Sequence, residues 1–289
     1  MGLPALALAL ILSSALLHAL WNVLLGRAAP KGFDAGIVGY AVGWLALTPF
    51  ALIRWRVEDG AWGYLALSAF FSITYFLLLN VAYARVPVHA AYPVARGLAP
   101  VLVLLVTLIA GDDVPAGAGV GVLVISAGIF VTASGANRRS VLAAAPVALS
   151  LTCYTIIASR GLASVDPSTY LWLSMTPVVL GSVTIRLLTK PRSLYAAIKP
   201  ITFVIGLGSV AAHVLTLAAL ALVTAAEVPA IAALRETGIL FVIVLSWAAA
   251  RGSVLSWAAA PGSADRPTAR TAVGATLVFA GVAVLAMAR

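Results

Sequence analysis

The sequence predicts an all-α membrane protein of ten transmembrane helices arranged as two inverted five-helix repeats, and three observations carry that reading. The first is composition: 63% of the 289 residues are hydrophobic and 9% are charged, against about 25% charged in a soluble domain, and the mean hydropathy is +1.09. The second is spacing, because apolar runs long enough to cross a bilayer recur along the chain at roughly one per 25–30 residues. The third is internal repetition. The stretch Ala82–Val103 returns in diverged form at Ala221–Val242. Setting Arg96 on Arg235 keeps the apolar run that follows each; a shifted register would instead pair Val86-Pro87 with Val228-Pro229.

The first span covers about Leu3 to Gly26, and it is read as a retained helix. Its apolar run exceeds the roughly 7–15 residues of a signal-peptide core, and Met1–Pro4 carries no positive charge. The second span, about Phe33–Ile53, has Gly36, Gly39 and Gly43 on a face that lets a neighbour approach closely. The third, about Trp62–Ala84, puts Ser72, Tyr75 and Asn80 in the membrane. The fourth, about Val88–Ala110, holds Pro93 and Pro100, and the fifth, about Gly117–Ser134, ends the first repeat, residues 1–140.

The second repeat, 141–289, follows the same order. The sixth span, about Val141–Ala158, resembles the first, with Tyr154 in the place of Trp21 and Arg160 in that of Arg27. The seventh, eighth and ninth lie at about Thr169–Leu188, Ile201–Val223 and Pro229–Ala250. The tenth, about Thr271–Ala288, repeats Gly121 and Gly128 as Gly274 and Gly281. A local duplication, SWAAARGSVL followed by SWAAAPGSAD, reads as a loop insertion near 251–270. An odd number of spans per repeat turns the halves over, so the pseudo-twofold axis lies in the membrane plane.

Charge sets orientation and partners. The net charge of +9 would point to nucleic acid in a soluble protein. Here the basic residues are scattered between apolar runs, the pattern of loops facing anionic lipid, so membrane lipids and not nucleic acid are the expected contacts. Most of them follow the odd-numbered spans, whereas Arg54, Arg56, Arg160 and Arg289 lie on the other side. The positive-inside rule then puts both termini outside the cytoplasm. The single cysteine, Cys153, excludes an intramolecular disulfide. The histidines lack a ligand-spaced acid or cysteine cluster, so neither metal nor cofactor is expected.

An ionised side chain inside a span is expensive and usually faces a pore, a partner or a substrate. That singles out Arg96, Arg235 and Glu236, as substrate contacts or as structural locks. His18 and His213 titrate near neutral pH in principle and serve either a proton relay or interhelical bonding. Trp21, Tyr75, Tyr92, Tyr154 and Trp172 supply an aromatic lining that suits an apolar zwitterion, or else simple packing.

The A-L-W-N of Ala19–Asn22, the Y-P-V-A-R-G-L-A-P of Tyr92–Pro100, the R-E-T of Arg235–Thr237 and the glycine-rich last helix of each half resemble the ten-helix EamA-type exporters of the drug/metabolite transporter superfamily. The chain departs from that pattern at Gly111-Asp112-Asp113 and at Arg251-Gly252-Ser253, where the usual Gly-Glu is altered or lost. The resemblance implies a central cavity lined mainly by the first, third, fourth, sixth, eighth and ninth spans, with the fifth and tenth behind. It implies site roles for Trp21, Asn22, Tyr92, Arg96, Arg235 and Glu236, and the bacterial cytoplasmic membrane as location.

The expected function is secondary transport, by a monomer, of small metabolites outward, foremost neutral or aromatic amino acids whose carboxylate passes between Arg96 and Arg235. The expected site comprises His18, Trp21, Asn22, Tyr75, Asn80, Tyr92, Arg96, Tyr154, Trp172, His213, Arg235 and Glu236. Multidrug or organic-cation efflux is the alternative within transport. A structural or signalling membrane protein is the alternative outside it. An enzyme is not expected, because Ser13, Ser14 and His18 share a helix without an orienting acid, and no phosphate loop for ATP occurs.

Overall fold

The computed structural model describes residues 3–28, 33–86, 88–133, 136–242, 245 and 268–288. In chain order the helices are α1 (Ala5–Ala28), α2 (Phe33–Ile53), α3 (Ala61–Arg85), α4 (Val88–Ile109), α5 (Ala116–Thr132), α6 (Arg138–Gly161), α7 (Pro167–Thr189), the short α8 (Pro191–Ala196), α9 (Pro200–Leu220), α10 (Val228–Arg235) and α11 (Ala269–Met287). No strand occurs among the described residues; a lone bridge between Val57 and Val165 joins the α2–α3 and α6–α7 connections at one end of the bundle. Eight helices (α1 to α4, α6, α7, α9 and α11) are long and apolar enough to cross a membrane, while α5 is apolar but has 17 residues. This is an all-α membrane protein. Its outer face carries large apolar side chains such as Leu6, Leu45, Phe70, Leu77 and Phe279, which lipid solvates and water does not.

Helix ends follow local chemistry. Asn137 and Asp166 accept hydrogen bonds from Ser140 N and Ser168 N and so start α6 and α7, and Thr268 does the same for α11. The interior is built on small residues that bring backbones together. On α2, Gly39 and Gly43 face α9 with Gly206 wedged against Gly39 O, whereas a Cβ on Gly36 would touch nothing among the described residues. The α5–α11 pair is reciprocal. A Cβ on Gly128 would lie 2.7 Å from Gly274 O and one on Gly274 would lie 2.7 Å from Gly128 O; Gly121 and Gly281 stand in the same relation at 3.1 and 2.9 Å.

A second reciprocal contact joins α2 and α7. Trp44 Nε1 donates to Thr176 Oγ1 and Trp172 Nε1 donates to Thr48 Oγ1, both at 2.9 Å. Each threonine then donates to the carbonyl of the tryptophan one turn earlier on its own helix. The two indoles stack, 5.4 Å apart and 10° from parallel. Both sides of this clasp come from one hexapeptide pattern, W-L-x-x-T-P, at 44–49 and 172–177.

The structure departs from the expected ninth span. Helix α10 ends at Arg235, a turn occupies Glu236 and Thr237, and helix resumes at 238. Backbone bonds from residue 236 to 233, 237 to 234, 239 to 236 and 240 to 237 replace the α-helical spacing, the tightened pattern that marks a helix break. Thr237 Oγ1 also donates to Leu234 O. Gly238, just beyond, lets α1 come close: a Cβ there would lie 3.1 Å from Ala15 O. The duplicated SWAAA segment lies outside the described residues.

Gly128→Val is expected to destabilise the protein by about 1–3 kcal/mol through overpacking, while Gly119→Ala, with open space around the added methyl, changes stability by less than about 0.5 kcal/mol. Thermal unfolding of the detergent-solubilised variants measures both. Trp44→Phe and Thr176→Val each cost about 1 kcal/mol. Together they cost less than the two singles added, because they remove the same bond, and a double-mutant cycle reads the difference.

Candidate functional site

Arg96 of the first repeated stretch and Arg235 and Glu236 of the second meet inside the bundle. Arg96, midway along α4 where Gly97 packs against Phe130 and Ser126 O, points its Nη1 at both carboxylate oxygens of Glu236, at 3.1 and 3.2 Å. Arg235, at the end of α10, holds Glu236 Oε1 through Nε at 3.1 Å and Nη2 at 2.9 Å. The contact between neighbours falls where the helix tightens: Glu236 N bonds Ala233 O and Thr237 N bonds Leu234 O, and the long Arg235 side chain reaches the carboxylate beside it while Arg96 reaches it from α4. The three side chains are 12%, 12% and 6% exposed for Arg96, Arg235 and Glu236. One buried carboxylate therefore serves two guanidiniums.

The neighbours orient this cluster. The Tyr92 ring lies under the Arg96 guanidinium, 5.1 Å from centroid to Cζ, a cation–π contact. Arg96 Nη2 stands 3.4 Å from His18 Nε2. A guanidinium only donates, so that nitrogen accepts and His18 is a neutral imidazole with its proton on Nδ1. His213 Nδ1 lies 2.8 Å from Ser209 O, which only accepts, so Nδ1 is protonated and Nε2 is left over. The two imidazoles face each other at 5.6 Å and Trp21 stands edge-on to His18 at 4.9 Å. Counted as two guanidiniums against one carboxylate, the cluster carries one net positive charge.

Beside it lies a cavity of about 80 Å³, lined from α1, α2, α3, α4, α6, α7, α9 and α10. Several waters fit such a volume. His18, Tyr75, Arg96, Tyr154, His213 and Arg235 open onto it. Glu236 and Tyr92 stand behind the arginines instead. Trp21 packs against Gly208, and its buried Nε1 has no hydrogen-bond partner among the described residues. Asn22 turns back to donate to the His18 carbonyl at 2.6 Å, and Trp172 is held in the α2–α7 clasp. The Asn80 side chain lies outside the described residues.

Sequence reasoning missed Tyr40, Ser72, Phe76, Thr216 and a whole face of α7. Leu171, Ser174, Met175 and Val178 line the cavity at i, i+3, i+4 and i+7, one stripe of a helix. The spacing is legible, but α7 is apolar on its other faces too, so periodicity could not choose among them. The W-L-x-x-T-P repeat was also legible and would have assigned Trp172 to a partner tryptophan.

No protein-family model matches this chain, and no curated protein matches it. A solved structure described only as the crystal structure of a protein superposes with a TM-score of 0.68 at 18% identity, over 97% of this chain and 96% of that one. At this identity the likeness concerns the fold alone.

Glu236→Gln leaves two buried guanidiniums without a counter-ion and is expected to cost about 3–5 kcal/mol. Arg235→Gln combined with Glu236→Gln returns the cluster to one net charge and recovers part of that loss. Melting curves of the two variants beside the parent protein test the sign of the recovery.

Proposed function

We propose that the protein is a secondary transporter, of the ten-helix drug/metabolite transporter type, that moves small carboxylate-bearing metabolites such as amino acids outward across a bacterial cytoplasmic membrane. The observation that carries this reading is the small cavity deep among the helices, whose wall presents two guanidiniums sharing one carboxylate. A net cation held in a membrane interior is costly and calls for an anionic visitor. Alternating access would let the carboxylate of the solute pass along the Arg96–Arg235 wall. The protein works as a monomer in this reading, because the cavity is enclosed by helices of one chain.

Two features favour inverted five-helix repeats. In both the α5–α11 and the α2–α7 interfaces, residues of one half meet their counterparts of the other in exchange, as happens across a twofold axis. Positive loops then assign the α2–α3 and α6–α7 connections, which touch at Val57 and Val165, to the outer side together with both termini.

Organic-cation efflux is less favoured. A cation would meet like charge, and no acidic side chain lines the cavity among the described residues. A purely structural role would account for the ion pairs but leaves the net positive charge at the cavity wall without a counter-ion.

Purified protein in proteoliposomes is expected to take up a labelled carboxylate-bearing solute from a panel of amino acids, organic acids and one organic cation. Arg96→Ala and Arg235→Ala, checked for folding by size exclusion, are expected to reduce uptake by about tenfold or more. Uptake of the cation alone, or full activity in both variants, overturns the reading.

A further inference from the structure

We infer that the cavity selects a net monoanion, an aromatic or apolar 2-oxo or 2-hydroxy acid, over the zwitterionic amino acid of the same skeleton; this rests on the transport reading above. Three observations lead there. The first is the charge count at the wall. Both oxygens of Glu236 are committed to Arg96 and Arg235, and Glu236 does not open onto the cavity. No other Asp or Glu side chain lines it among the described residues, so nothing anionic stands ready for an ammonium group. A monoanion brings the site to neutrality, whereas a zwitterion leaves the positive charge uncompensated and puts its own cation near two guanidiniums.

The second observation is an unused docking edge. Arg235 spends Nε and Nη2 on Glu236, while its Nη1 makes no hydrogen bond among the described residues. That nitrogen is also absent from the fully enclosed, unpartnered polar atoms, so on a residue that lines the cavity it is open to a solute. A planar fork of this kind suits a carboxylate.

The third is the rest of the lining. The hydroxyls of Tyr40, Tyr75 and Tyr154, all cavity residues, make no hydrogen bond among the described residues. As donors they match a keto or hydroxyl oxygen next to the carboxylate. Phe76 contacts Tyr40 and Tyr75 edge-on at 5.3 and 5.7 Å, giving an aromatic wall for the apolar end.

The test is competition binding to the purified full-length protein at pH 7 with phenylalanine, phenyllactate, phenylpyruvate and phenethylamine, which share one skeleton. Phenyllactate and phenylpyruvate are expected to bind on the order of tenfold tighter than phenylalanine, with phenethylamine binding least. Arg235→Gln removes one positive charge, and the preference for acid over amino acid is expected to shrink to within about twofold. Equal or tighter binding of phenylalanine overturns the monoanion inference and leaves the transport reading standing. Binding of none of the four, or of phenethylamine alone, overturns both. A preference that Arg235→Gln leaves intact also overturns the inference.

Discussion

The interaction on which the rest depends is the sharing of Glu236 between Arg96 and Arg235. Two guanidiniums in an apolar interior repel each other and are poorly solvated, and a single carboxylate within hydrogen-bond reach of both holds them in place. The carboxylate lies at the point where α10 ends, in the turn at Glu236–Thr237 with its tightened backbone bonds and the glycine that follows. Arg235 reaches it from the adjacent position and Arg96 from α4.

The surrounding helices hold that geometry through close backbone contact as well as through buried apolar side chains such as Ile11, Ile125 and Leu217. Lipid offers the outer apolar residues as good an environment as any core, so association relies on packing and interhelical hydrogen bonds. The glycines of α5 and α11, those of α2 and α9, and the indole–threonine exchange between α2 and α7 meet that need. Ser14, which bonds Ala212 O and Thr216 on α9, does the same for α1 and thereby sets the height of His18 beside Arg96.

The readability of the site follows from how rare each residue type is in its setting. Arg96, Arg235, Glu236, His18 and His213 stand out because a titratable group in an apolar run needs a reason, and all five lie within one cluster. Aromatic residues carry no such signal. Tyr75 and Tyr154 face the cavity, Tyr92 lies beneath Arg96 and Trp172 stacks on Trp44, although each looks alike in sequence. The α7 stripe was hidden for the opposite reason: a helix apolar on every side offers no contrast from which to choose the inward face.

By itself the sequence determined the class of the molecule, an all-α membrane protein, and which charged residues fall inside apolar runs. Hydropathy and helix length are properties of a run of residues, and the bilayer acts on them without reference to partners. Only the tertiary structure decided that one carboxylate serves both arginines, that the expected ninth span breaks where it does, which tryptophan is a clasp and which faces of α2 and α7 line the cavity. Those outcomes depend on distances between segments far apart in the chain, where small residues allow two backbones to approach and a few hydrogen bonds choose one rotation over another.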